Sequence, residues 1–169
     1  TTTINQEPPA WSSAAVIYHI FIDRFNPGGE KNWLPAASLL DFFGGTLQGI
    51  IEKLEYIKDL GFNTIWLSPV FSSPTHHGYD ATDLLNVEPR FGTNEDLDEM
   101  IQKVRGMGMR LILDFVPNHW SNQHPTFIDA RQNEDSPYRD WYVWNNWPDD
   151  YEAYFGLNGM PKLNLHAGS

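Results

Sequence analysis

Apolar residues fall into two alternating kinds of run along this chain. Short β-branched and aromatic stretches are separated by longer ones in which apolar positions recur every three or four residues. The first short run, Ala15-Val16-Ile17-Tyr18-His19-Ile20-Phe21-Ile22, ends at Asp23-Arg24 and predicts a strand covered on both faces, as in a parallel sheet. Leu47, Ile50, Ile51, Leu54, Ile57 and Leu60 then make one apolar helical stripe, with Thr46 placed to cap it and Gly61 to end it. Residues Phe62 to Leu67 predict a second strand, closed by Ser68-Pro69. A loop of 25 residues, 68–92, follows, and loops of that length in a compact domain are usually functional or disordered. Its aromatic and histidine content favours function. A second stripe (Leu97, Met100, Ile101, Val104, Met107) is opened by a Thr93/Asp96 capping box and ended by Gly108. Met109 to Val116 predicts the third strand.

Twice, then, a helix closes on Gly and a strand starts directly afterwards. That is the α-to-β half of a βα repeat and predicts parallel strands with right-handed crossovers. Three such units are too few for a closed α/β barrel, which needs eight, and an open three-stranded sheet would leave two bare edges. Around this repeat, residues 1–13 read as a lead-in, 14–116 hold the three β/α units, and 117–169 read as an irregular inserted subdomain. The last region carries Trp120, Trp141, Trp144 and Trp147, four of the seven tryptophans, without a sustained period.

Composition narrows the function. Of 169 residues, 11 are Lys or Arg and 22 are Asp or Glu, a net charge of −11 that argues against a nucleic-acid surface. The absence of Cys excludes a disulfide scaffold, a thiolate nucleophile and Cys-based metal sites, and leaves a secreted or a cytoplasmic location equally open. No apolar run approaches a membrane span. No phosphate loop, dinucleotide fingerprint or nucleophile elbow occurs, so no organic cofactor is expected. Aromatic residues make up 14% of the chain and suit either a large core or a flat-ligand surface.

Polar residues collect after the strands. Asp23-Arg24 follow the first, His76-His77-Gly78-Tyr79-Asp80 the second, and Asp114, Asn118 and His119 the third. In parallel α/β folds ligands bind on that side. Asp114 ends an apolar run, where a charge needs a partner; it reads as a structural ion pair or as part of a binding cluster with Asn118 and His119. Tyr79 reads as loop packing or as a stacking platform for a sugar. His76 and His77 lack a third ligand at metal-binding spacing, and adjacent side chains tend to point apart.

Five segments, in order, resemble the α-amylase family of retaining glycosidases and transglycosidases, glycoside hydrolase family 13. They are Ile17-Tyr18-His19-Ile20-Phe21-Ile22-Asp23-Arg24-Phe25, Gly44-Gly45-Thr46-Leu47 with Leu60-Gly61-Phe62 through Pro69, and His77-Gly78-Tyr79-Asp80. The last two are Asp114-Phe115-Val116-Pro117-Asn118-His119 and Met160-Pro161-Lys162-Leu163-Asn164, the latter in the form of the neopullulanase and cyclomaltodextrinase branch. The resemblance covers residues 16 to 164. It implies the N-terminal part of a (β/α)8 TIM barrel, its first three βα units, with the inserted domain after strand three. Tyr79 would then stack on the sugar at the cleavage subsite, His77 would line it, His119 would bond a sugar hydroxyl and Asp114 would lie beneath. Asn118 would be a ligand where members hold calcium; Thr46 stands where ion-binding versions of the opening loop carry Asp, so no second ion is expected there.

Members of that family break the glycosidic bond with an Asp nucleophile and a Glu acid about 5 Å apart. Both come from later strands, and no Gly-x-Arg-x-Asp segment occurs here. The expectation is therefore an N-terminal fragment of an α-glucan-acting enzyme with substrate-binding residues but no catalytic pair, inactive alone, its nucleophile and acid lying beyond residue 169. Its partners would be an α-glucan or maltooligosaccharide and the remaining barrel, in the same or a second chain. The alternative is a non-catalytic carbohydrate-binding or assembly module derived from the same barrel.

Overall fold

The computed structural model describes residues 7–167. Strands β1 (Ile17–Ile20), β2 (Thr64–Leu67) and β3 (Arg110–Leu113) form a parallel sheet in the order β1-β2-β3. Its register aligns Tyr18 with Ile65 and Leu111, and the next row His19 with Trp66 and Ile112. Successive rows face opposite sides of the pleat. The first row packs into an aliphatic core with helices α1 (Leu47–Ile51), α2 (Leu54–Asp59) and α3 (Asn94–Gly106). The second leaves His19 and Trp66 exposed, their rings 4.4 Å apart. Within the described residues the sheet is covered on one face, not on both as the apolar runs predicted, because α1, α2 and α3 all lie on the same side.

Two further departures have local causes. The first strand is shorter than its apolar run because the chain turns at Ile22–Arg24 into a 3-10 turn. That turn buries Asp23, whose carboxylate accepts the amides of Phe43 (3.0 Å) and Gly44 (3.1 Å). Gly45 completes the approach; a Cβ there would stand 2.0 Å from the Ile22 carbonyl. The helix expected over 47–60 is two helices, because the Lys53 N–H bonds Ile50 O only three residues back (2.9 Å) before α2 begins. The stripe survives the break: Leu47, Ile50, Ile51, Leu54 and Ile57 are buried, and Leu60 is exposed beside Gly61, which ends the helix at φ 92°.

The caps form as the sequence predicts. Thr46 accepts from the Gly49 amide (3.0 Å), and Thr93 and Asp96 exchange both bonds of a capping box. Inside the long loop, Phe71 and Val87 bridge antiparallel, and buried Glu88 accepts from the Ser73 amide (3.0 Å) and the Arg90 guanidinium. Buried backbone and charge are thereby satisfied in a segment with no helix or strand of its own.

The region after β3 is less irregular than its sequence suggests. Helix α4 (Pro125–Gln132) starts on Pro125 with His124 accepting the Thr126 amide, and β4 (Trp144–Asn146) pairs antiparallel with β5 (Asp150–Tyr151). A second core holds Phe127, Ala130 and Tyr142, packed by Tyr138, Trp144, Tyr151 and Leu163. Phe127 stacks on Trp144 (5.6 Å) and meets Tyr142 edge-on (4.8 Å). No helix among the described residues is long and apolar enough to cross a membrane.

Candidate functional site

A cavity of about 430 Å³ opens beyond the C-terminal end of β3. His77, Tyr79, Asp114, Asn118 and His119, all named from the sequence, line it together. Phe115 to Pro117, and Tyr154, Leu157 and Met160 of the inserted region, complete the lining.

The β2 side is fixed from beneath by Asp80. This buried carboxylate accepts from Ser73 Oγ (2.7 Å) and Thr75 Oγ1, and lies 3.7 Å from His77 Nδ1. That nitrogen accepts the Tyr79 amide (3.1 Å), so the loop from 75 to 80 is wound around the His77 ring. Burial lowers the His77 pKa from its ordinary 6.5, with Asp80 opposing and His76 adding to the fall. Tyr79 lies across His77, ring centroids 5.8 Å apart at 29°, and donates its hydroxyl to Asp114 Oδ2 (3.0 Å). Burial first, then that bond and the Asp114 charge, raise the phenol pKa. Tyr79 is 36% exposed and lines the cavity, while the bond from its hydroxyl sets its tilt.

Asp114 is half-buried, and its described partner is the Tyr79 hydroxyl; among the described residues no cation pairs with it. The structural ion pair occurs instead after β1, where Arg24 lies 3.0 Å from Asp23. His119 is 3% exposed and stacked on Tyr154, centroids 4.6 Å apart. Its Nδ1 accepts from the Asn118 carboxamide nitrogen (3.0 Å), which assigns the proton of the neutral ring to Nε2. Nε2 is buried without a hydrogen-bond partner among the described residues. Burial lowers this pKa, with the Tyr79 backbone and Asp80 pulling the other way and His77 adding to the fall.

The segment Met160-Pro161-Lys162-Leu163-Asn164 owes its place to backbone pairing with Asn118 and His119, in the stretch that follows β3. The Leu163 amide donates to Asn118 O (2.9 Å), and His119 and Lys162 form an antiparallel bridge. Lys162 also bonds Glu152 across the strip (2.7 Å). Tyr154 and Leu157 were not legible as site residues, for they lie in a turn whose only sequence cue is the motif that follows.

The donor set bears on the adjacent histidines and on Asn118. His76 turns away from His77 to Leu40 O (3.1 Å). Calcium takes six to eight oxygen ligands, yet no group of three or more His, Cys, Asp or Glu side chains that could hold an ion occurs among the described residues. Asn118 donates its side-chain amide nitrogen to His119 and accepts the Leu163 amide on its main-chain carbonyl.

The family description "Alpha amylase, catalytic domain" matches residues 19–159, most of the chain and every residue that lines the cavity except Met160. The chain belongs to the α-amylase family. Alpha-amylase 2 of Dictyoglomus thermophilum is 45% identical over 95% of this chain and 28% of its own length. Intracellular maltogenic amylase of Bacillus subtilis is 41% identical over 94% of this chain and 29% of its own. Among solved structures, cyclic alpha-maltosyl-(1→6)-maltose hydrolase from Arthrobacter globiformis, complexed with that sugar, superposes with a TM-score of 0.87 at 36% identity, over 95% of this chain and 39% of that one. This α-amylase-family chain thus spans less than a third of the length of the curated relatives it matches.

Proposed function

We propose that the chain forms the substrate-binding wall of an α-glucan-acting retaining glycoside hydrolase or transglycosidase, as its N-terminal part. The observation that carries this reading is the cavity: a polar cluster and a partly exposed aromatic ring converge in it at the strand ends. Tyr79 presents its ring to the apolar face of a sugar, held at a fixed tilt by Asp114. His119 donates from Nε2 to a hydroxyl of the same unit. Neutral His77 supports the Tyr79 ring and closes the floor. The three orient the sugar and shed water from it, while bond cleavage requires a carboxylate pair supplied from outside residues 1–169.

The exposed row His19 and Trp66 and the open edge of β3 support the reading of three units of an eight-stranded barrel. The rest of that barrel is the proposed partner, in the same or a second chain. A groove along β3 lined by Trp11, Met109, Leu111 and Leu113, with Arg105 and Arg110 among them, would take the next βα unit. The chain is expected to bind maltooligosaccharides without cleaving them, and Tyr79→Ala to weaken binding about tenfold. Calorimetry and a reducing-sugar assay check both; robust turnover by the chain alone, or unchanged affinity in the variant, contradicts the reading. The non-catalytic binding module is favoured instead if the chain proves monomeric, and indifferent to the remaining barrel, while it binds sugar.

A further inference from the structure

Among the described residues two that are not glycine have left-handed φ, Glu30 at 60° and Phe155 at 47°. Glu30 sits in a polar surface loop. Phe155 is different: it is a large apolar side chain, 87% exposed, on the turn that borders the cavity. L-residues in this backbone region are disfavoured, most of all bulky ones, and such strain persists only where its surroundings impose it. The surroundings here do. The amides of Tyr154, Leu157 and Met160 donate to Met160 O, Tyr154 O and Leu157 O at 3.0, 2.9 and 2.8 Å, which locks the turn on both sides of Phe155.

The Phe155 ring meets Tyr154 edge-on at 4.6 Å, and Tyr154 stacks on His119 at the same spacing. Phe155 therefore stands one ring beyond the cavity lining, in contact with Tyr154 and exposed. We infer that Phe155 is a stacking platform for a sugar unit next to the one held by Tyr79 and His119, so that the site selects glucan chains over disaccharides. The inference rests on the α-glucan reading of the cavity and adds to it a second, chain-length-sensing contact. A sugar ring offers one flat apolar face, which matches an exposed phenyl ring.

The backbone strain makes the inference testable. The chain, with Phe155→Asn and Phe155→Trp, is titrated with maltose and with maltopentaose by NMR, and each protein is melted. Asn tolerates left-handed φ, so Phe155→Asn is expected to raise Tm by about 2–4 °C. It is also expected to weaken maltopentaose about fivefold and leave maltose unchanged, while Phe155→Trp retains maltopentaose binding. Equal affinity of Phe155→Asn for maltopentaose, or an equal loss for both sugars, overturns the inference and leaves the α-glucan reading standing. Lost self-association with unchanged sugar binding overturns it in favour of a protein contact. Failure of the unsubstituted chain to bind either sugar overturns both.

Discussion

Ile20, Leu47, Ile50, Ile57, Ile65, Leu67 and Met100 fill the space between sheet and helices, whereas the inserted region is built around Phe127 and Tyr142 with Trp144 and Tyr151 against them. The first core comes from repeated, periodic elements, each contributing one aliphatic face. The second is made by a two-turn helix, a short hairpin and edge-to-face rings, where a few large side chains replace many small ones. The cavity lies where the two meet. His77, Tyr79 and Asp114 come from the βα side, Tyr154 and Leu157 from the other, and His119 stands at the seam. The site's geometry therefore depends on both cores, although its polar residues come mostly from one.

The sharpest way to break this comparison is to unpack each core in turn. Phe127→Ala is expected to destabilise the inserted region by about 3–5 kcal/mol and Leu67→Ala the βα region by about 2–5 kcal/mol. Residue-level hydrogen exchange checks it: Phe127→Ala should speed exchange from 120 to 165 while amides of β2 and α3 stay protected. Uniform loss of protection from either substitution would show one cooperative unit and erase the distinction.

A smaller effect tests the seam. His77, His119 and His124 all have pKa values lowered chiefly by burial. The unfolded chain then takes up these protons at a higher pH than the folded one does, so stability rises with pH between the folded and unfolded pKa values. Tm should be level above about pH 7 and fall as the pH drops through about 6.5. His119→Gln should flatten part of that slope; an unchanged slope would mean that burial does not hold His119 neutral.

Legibility in the sequence follows the same division. The aliphatic stripes fixed three strands, both caps and the glycine stops of the βα region, because one face buried at a regular spacing is a periodic signal. The break at Lys53 was hidden, since a single i−3 bond leaves the stripe intact. The predicted coverage of both sheet faces is met on one face among the described residues, because burial of the second depends on residues distant in sequence. In the inserted region α4 buries only Phe127 and Ala130, too few for a period, and β4 and β5 are three and two residues long. The polar half of the site was readable from residue types at strand ends. Tyr154 and Leu157 of the inserted region were not, for a turn's conformation leaves no repeating mark.

The central claim is that both regions close on one sugar-binding cavity. Mapping amide and side-chain shifts of the chain during a maltopentaose titration tests it most directly. The account predicts simultaneous shifts at His77, Tyr79, Asp114 and His119 and at Tyr154, Phe155 and Leu157 of the inserted region, with the groove along β3 silent. Shifts confined to one region, shifts in that groove, or none at all would contradict it.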